Sequence, residues 1–174
     1  MSATLASYPS RSRLSGVRAF TLVEISVVVL IIGLVASIAV PQIKKSVITA
    51  RSETVINDMR VFSQAFEHYL QEKGDWPPAT SSPGEYPSGM EGYLSQSNWS
   101  RRTPIGGLYN WQNQVRHSGL KITAAIAISS AEGNEVSSDQ LQLEDIDRRI
   151  DDGDLSTGSF RLGFGNEPIY IIEL

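Results

Sequence analysis

The fold is decided by the stretch FTLVEISVVVLIIGLVASIAV, residues 20–40, in which Glu24 is the one charged residue. At about 1.5 Å per residue, a helix of this length spans about 30 Å, which is the hydrocarbon thickness of a bilayer. An ordinary secretory signal has an apolar region of only about 7 to 15 residues. The stretch therefore predicts a membrane-spanning helix over 20–40.

A second interpretation of the same stretch is a secretory signal that is removed. The triplets Val35-Ala36-Ser37 and Ser37-Ile38-Ala39 fit the small-residue cleavage sites of such signals. The length of the apolar run favours the membrane helix over this alternative.

The segment before the apolar run, residues 1–19, is rich in Ser and Arg and contains no acidic residue. It lacks apolar periodicity, and we interpret it as a leader. Basic residues lie on both sides of the span in equal number, with Arg11, Arg13 and Arg18 before it and Lys44, Lys45 and Arg51 after it. The positive-inside rule therefore does not decide the orientation of the helix.

The composition of the 174-residue chain limits the classes of function. Its length suits one domain plus an appendage. Its net charge of −4 does not indicate that the chain as a whole binds nucleic acid. Without cysteine, the chain has neither a disulfide nor a thiolate metal site nor a cysteine nucleophile. We therefore expect a small folded head that is stabilised by packing alone.

The helical pattern continues beyond the apolar run. Pro41 removes one backbone donor and should bend the helix rather than end it. Gly74 supplies a C-cap, and Pro77 and Pro78 prevent further helix. The sequence thus predicts one long helix over 20–73, with an apolar stripe after Pro41 made of residues spaced mainly three and four apart: Ile43, Val47, Ile48, Val55, Met59, Phe62, Phe66 and Tyr69.

Residues 74–174 predict a globular head in which a small sheet packs on the second half of the long helix. Ser137 with Gln140 resembles a capping box, and it would start a short helix that ends before Gly153. Together these elements predict an α+β fold. Strands are expected at 108–111, 119–129, 159–164 and 168–174.

Glu24 is the residue most informative about function. A charge at the centre of a membrane helix costs about 2.5 to 3.5 kcal/mol, and a partner within about 4 Å offers on the order of 4 kcal/mol at an effective dielectric of about 20. The apolar run contains no basic residue, and Arg18 lies on a different face of the helix. The best partner is an α-amine made by cutting the chain before Phe20. A tolerated carboxylate near the membrane interface is the plainer alternative.

Residues 18–24, with the sequence RAFTLVE, the apolar helix and Pro41 resemble the prepilin signal of type IV pilins and type II secretion pseudopilins. The helix-ending segment GDWP at 74–77 and the C-terminal segment 151–158 are also similar to the corresponding segments of pseudopilins. One departure is Ala19, because the family usually has Gly before the cut. The missing cysteine also departs from many major type IV pilins and favours a pseudopilin.

The resemblance implies a pilin-like fold and a bacterial inner-membrane protein with a cytoplasmic N-terminus and a periplasmic head. A prepilin peptidase would cut between Ala19 and Phe20 and methylate the Phe20 amine. Glu24 would pair with the Phe20 amine of a neighbouring subunit. The implied partners are further copies of the chain, related pseudopilins in a helical filament, an inner-membrane assembly platform and the lipid bilayer, and no nucleic acid is expected.

Two other features have a plain and a functional interpretation. Asp151, Asp152 and Asp154 would bind calcium if they act as a C-terminal loop does in some pseudopilin heads, but they lack the glycine position and the closing Glu of an EF-hand, and a solvated turn is the plainer reading. We therefore assign no cofactor. Tryptophans at 76, 99 and 111 would either pin loops onto the core, which we favour, or form a ligand platform.

Enzyme activity is not predicted. His68 and His117 have no metal-site partner at the spacing of a zinc motif, and we expect both on the surface. Two other functions stay open. One is a membrane-anchored binding module, and the other is a minor pilin that captures DNA through Arg101, Arg102 and Arg116.

Overall fold

A computed structural model describes residues 20–117 and 119–174. The predicted leader, including Ala19, lies outside these residues. The chain divides into two units with the boundary between Gln42 and Ile43. The helices are α1 (Leu22–Lys73), α2 (Gln96–Trp99) and α3 (Gln140–Ile150), and the strands are β1 (Leu108–His117), β2 (Leu120–Ser129), β3 (Phe160–Leu162) and β4 (Pro168–Glu173).

The first unit contains the N-terminal part of α1. The helix begins at Leu22 and contains Pro41 without ending there, as predicted. The predicted bend at Pro41 stays a prediction. From Leu22 to Val40 the apolar side chains are exposed or, at Ala39, half-buried. This part of α1 therefore presents apolar surface around its whole circumference.

The C-terminal end of α1 is capped as predicted. Gly74 has a φ of +78°, and its amide donates to the Leu70 carbonyl at 2.8 Å. A left-handed residue in this position satisfies one of the free carbonyls of the last turn.

The second unit is a four-stranded antiparallel sheet with the order β1-β2-β4-β3, on which the later turns of α1 pack. This arrangement confirms the predicted α+β class. The predicted C-terminal hairpin is present as β3 and β4, in which Phe160 pairs with Tyr170.

The core lies between α1 and the sheet. Phe66 stacks on Trp111 with ring centroids 3.7 Å apart, and Phe62 meets Tyr109 edge-on. Residues of the predicted stripe from Val55 to Phe66 are buried here, whereas Ile43, Val47 and Ile48 are exposed. The first turns of the stripe therefore have no covering from the described chain.

Two local predictions are wrong. Strand β1 extends to His117 rather than ending at 111, because its polar second half pairs along its backbone with β2. The predicted capping box is absent, since α3 begins at Gln140 with Asp139 as N-cap and no side-chain cap. Ser137 instead accepts a hydrogen bond from the Asp139 amide at 3.2 Å.

Candidate assembly segment and acidic cluster

Thr21 caps the N-terminus of α1. Its hydroxyl oxygen accepts a hydrogen bond from the Glu24 amide at 3.1 Å, which satisfies one of the free donors of the first turn. We did not predict this capping role from the sequence, although Thr21 and Glu24 have the T-x-x-E spacing of a capping box. The cap fixes where the helix begins relative to Phe20.

Glu24 lies in the first turn of α1 and is exposed. Within the part of the chain that the structure describes, no donor contacts its carboxylate. An acid is favoured at this position by the partial positive charge of a helix N-terminus. The carboxylate is therefore tolerated by its own helix and open to a partner outside it.

The segment that follows Glu24 is apolar and uncovered. Leu30 is 64% exposed and Ile38 is 70% exposed, and the preceding Phe20 is 73% exposed. One helix of the described residues is long and apolar enough to cross a membrane. An 18-residue stretch of it has a mean hydropathy of 2.7, and none of that stretch is buried. Gly33 has open space around it, because an added Cβ would meet no atom within 4 Å.

The predicted acidic loop is a hydrogen-bonded turn in which the side chains hold local backbone. Asp152 accepts from the Asp154 amide at 2.9 Å and from the Thr157 hydroxyl at 2.8 Å, and these bonds hold the pKa of Asp152 below its ordinary value. Asp154 accepts from the hydroxyl and amide of Ser156, which lowers its pKa in the same way. Asp151 accepts from the Ser159 amide.

Asp147 was missed in the sequence. It precedes Arg148 and Arg149 in a pattern typical of a polar helix face, but it is fully buried, and neither of its carboxylate oxygens has a hydrogen-bond partner among the described residues. Burial, and then the charges of Asp152, Asp151 and Asp154, raise the pKa of Asp147 from 3.8 to about 6. The Gly153 amide opposes this rise in pKa without reaching hydrogen-bond geometry.

The tryptophans pin loops onto the core, as we favoured. Trp99 and Trp111 are fully buried and donate to the backbone oxygens of Glu85 at 2.7 Å and Pro77 at 2.9 Å. Trp76 donates to Glu173 at 2.6 Å. Buried rings do not form an exposed ligand platform.

The arginines proposed for DNA do not form a free basic patch. Arg101 donates two hydrogen bonds to Asp58, at 2.8 and 2.5 Å, and is held beside the core. Arg102 donates to the Gly133 carbonyl at 3.3 Å. Among the described residues, neither Arg102 nor Arg116 forms an ion pair, and two charges are too few to bind a polyanion strongly.

The two histidines differ in environment. His68 is exposed, as predicted, and lies 3.4 Å from Glu72 on the same helix. His117 is half-buried rather than a surface residue, and its Nδ1 accepts from the Phe164 amide at 2.9 Å. Its Nε2 lies 2.7 Å from Gln112, so the ring joins β1 to the loop before β4.

Neither the comparison with protein-family models nor the comparison with curated proteins found a match for this chain.

Proposed function

We propose that the chain is a structural subunit of a helical filament of the type II pseudopilus or type IV pilus kind. The observation that carries this proposal is an exposed carboxylate, Glu24, in the first turn of a helix whose next residues up to Val40 are almost all apolar and exposed. A helix that only anchors the chain in a membrane would need the apolar surface but not the carboxylate.

The physical argument begins with the apolar segment. A helix that is apolar around its circumference leaves water for lipid or for contact with other such helices. In a filament, copies of the segment would bury one another after leaving the bilayer. Contacts of one kind that do not close into a ring generate an open helical array.

Glu24 would set the axial register of this array. After a prepilin peptidase cuts between Ala19 and Phe20, the new amine of one subunit would meet Glu24 of its neighbour. The pair would offset the cost of carrying both charges in an apolar environment. Mismatched registers would leave both charges unpaired, and the correct register is therefore favoured.

The same proposal implies a cellular location for each part of the chain. The leader would remain cytoplasmic, the apolar segment would cross the bacterial inner membrane, and the head would lie in the periplasm. An inner-membrane assembly platform and related pseudopilins would complete the machine. We do not expect the head to be an enzyme.

The experiment that tests the proposal is Glu24→Gln in the native host. The variant keeps the shape of the side chain and the apolar segment but loses the charge, so we expect normal membrane insertion. We also expect at least a tenfold loss of filament recovered by shearing, because losing about 1.4 kcal/mol per contact lowers the association constant tenfold. Glu67→Gln is the matched control, since Glu67 is an exposed acid on the same helix. Filaments at the normal level in Glu24→Gln would refute the proposal and favour a membrane-anchored binding module.

A further inference from the structure

The end of the β1–β2 hairpin extends beyond the rest of the sheet. The two strands pair along their whole length, as far as His117 and Leu120. Strand β4 pairs with β2 only between Ala124 and Ala127, so the hairpin end, residues 114–123, has no third strand beside it in the described chain. A two-stranded hairpin alone is marginally stable in water. Contacts outside the sheet must therefore hold this end in place.

The hairpin is irregular where it leaves the sheet. Gln114 has a left-handed φ of +54°, and it does not pair with Thr123 on the opposite strand. The register between β2 and β4 also shifts at this level, between Ala124 and Ala125. A non-glycine residue rarely adopts such a φ, and the strain persists where surrounding contacts impose it. The bend at Gln114 therefore depends on what the hairpin end touches.

The hairpin end packs on the face of the sheet that α1 does not cover. Successive residues of a strand point to opposite faces, and Ala124, Ile126 and Ile128 belong to the core with α1. The alternate residues form a second buried cluster, made of Ala125, Ala127, Ile169 and Ile171. Three residues of the hairpin end complete this second cluster: Val115, Leu120 and Ile122. The end of the hairpin therefore folds back over the second face.

His117 fastens the hairpin end to the loop between β3 and β4. Its Nδ1 accepts a hydrogen bond from the Phe164 amide at 2.9 Å. A backbone amide can only donate, so Nδ1 carries no proton, and Nε2 donates to the Oε1 of Gln112 at 2.7 Å. At Gly163 an added Cβ would lie 2.6 Å from Nδ1, so glycine permits the ring to approach. The contact requires a neutral imidazole.

Charged groups from several elements surround this ring. His117 lines a cavity of about 570 Å³ together with Glu144 of α3, Asp154 of the following turn and Arg161 of β3. None of them forms an ion pair with His117 in the described chain. The other charged groups nearby are exposed on the hairpin or bonded to Ser129: Arg116, Lys121 and Glu167. These charges set the pH at which His117 takes up a proton, and the bond to Phe164 decides what that proton does.

We propose that His117 is a pH-sensitive latch that holds the hairpin end over the second face of the sheet. Histidine ordinarily changes charge between about pH 5 and pH 8. A protonated ring carries N–H groups on both nitrogens, so its Nδ1–H would oppose the Phe164 N–H, donor against donor. The latch is closed at the upper end of this range and opens as the pH falls. Opening uncovers the second cluster. This device concerns the head alone and does not depend on the filament proposal.

The first test is hydrogen exchange of the Phe164 amide in the full chain in detergent, at about pH 5 and about pH 7.5, with each rate divided by the intrinsic rate at that pH. We expect protection to fall at least about tenfold at the lower pH. In His117→Asn, the Oδ1 takes the place of Nδ1 but does not titrate, so protection should be equal at the two pH values. His117→Leu has no acceptor, and protection should be low at both.

Two variants are matched controls for other groups that titrate in this range. His68→Gln removes the other histidine of the chain, which is exposed on α1. Asp147→Asn removes the carboxyl whose pKa is raised to about 6 by burial and then by nearby acids. Both variants should keep the full loss of protection at Phe164.

A second test follows the hairpin end itself. Because the chain has no cysteine, Lys121→Cys with Gln140→Cys places two spin labels, at exposed positions on β2 and α3. We expect a short, narrow distance distribution at about pH 7.5 and a longer, broader one at about pH 5. In the same pair with His117→Asn, the distribution should not change with pH.

If His117→Asn does not fold, NMR of the histidine ring in His68→Gln replaces it, because His117 is then the one histidine signal. The ring should titrate with the same midpoint as the loss of Phe164 protection. Constant protection in the native chain, an equal fall in His117→Asn, a label distance that ignores pH, or different midpoints would overturn the proposal.

Discussion

Asp58 is a buried acid on α1 that is satisfied by residues far along the chain. It is 6% exposed, accepts two hydrogen bonds from Arg101 and accepts one from the Tyr109 hydroxyl at 2.6 Å. Burial, and then the bond to Asp58, hold the pKa of Tyr109 far above its ordinary value, so its hydroxyl stays a donor. The group fixes α1 on β1.

We predict that Asp58→Ala lowers the free energy of unfolding by about 3 kcal/mol, because it leaves Arg101 and Tyr109 without their acceptor. Urea unfolding of the full chain in detergent measures this. Glu67→Gln on the exposed face of the same helix should change it by less than about 0.5 kcal/mol. Similar values for the two variants would contradict this role of Asp58.

Asp147 gives a pH dependence with a definite sign. Its pKa in the folded chain, about 6, lies above its ordinary value of 3.8. The folded state therefore holds the proton more tightly, and this contribution to stability is complete below about pH 4 and is lost as pH rises through about 6. Ionising Asp147 in the folded chain should cost roughly 2 to 3 kcal/mol.

Comparing the native chain with Asp147→Asn isolates this effect from the other acids. We expect the Tm of the variant, relative to the native chain, to rise between pH 4 and pH 7. A constant difference across that range would show that the Asp147 proton does not affect folding.

The sequence could not predict these two buried acids. Asp58 lies off the apolar stripe, and Asp147 is followed by Arg148 and Arg149, so both have the local pattern of a polar helix face. The burial of Asp58 depends on β1, which lies far away along the chain. The burial of Asp147 depends on the 151–158 loop, which folds back in three dimensions. Glu24 was recognisable because it interrupts an apolar run, which is a local signal.

At the level of elements, two glycines allow the cost of a strained backbone conformation to be compared with the added cost of a steric clash. Gly74 and Gly106 have similar left-handed conformations, with φ of +78° and +83°. An added Cβ at Gly74 would meet no atom within 4 Å, whereas at Gly106 it would lie 2.0 Å from the Glu135 backbone oxygen.

We therefore predict that Gly74→Ala costs about 1 kcal/mol of unfolding free energy, from conformational strain alone. Gly106→Ala should cost about 3 kcal/mol, because the loop before α3 must also move. Chemical denaturation measures both. Equal costs would mean that the segment around Glu135 yields without resistance.

The elements that the sequence predicted best were those with a strong local period or a strong terminator. The long helix ends at Lys73, directly before Gly74, and the alternation in 120–129 marks β2. The second half of β1 is polar, and backbone pairing with β2 rather than its own pattern makes it a strand. Capping of α3 was misplaced because Ser137 and Asp139 both suit an N-cap.

For the whole molecule, the apolar part of α1 predicts how the chain partitions. We expect the full chain to stay with the membrane fraction through washing in high salt and in alkaline carbonate, because an 18-residue helical stretch with a mean hydropathy of 2.7 is held by lipid rather than by charge. Immunoblots of pellet and supernatant measure this. Release by either wash would contradict a membrane-spanning segment.

If the chain is a filament subunit, it is processed as one, and the most direct test is the intact mass and N-terminal sequence of the protein purified from its own membranes. We expect a mature chain that begins at Phe20 with a methylated amine. A mature chain that begins at Met1, or after Ala39, would contradict it and leave a simple anchor or a secreted protein.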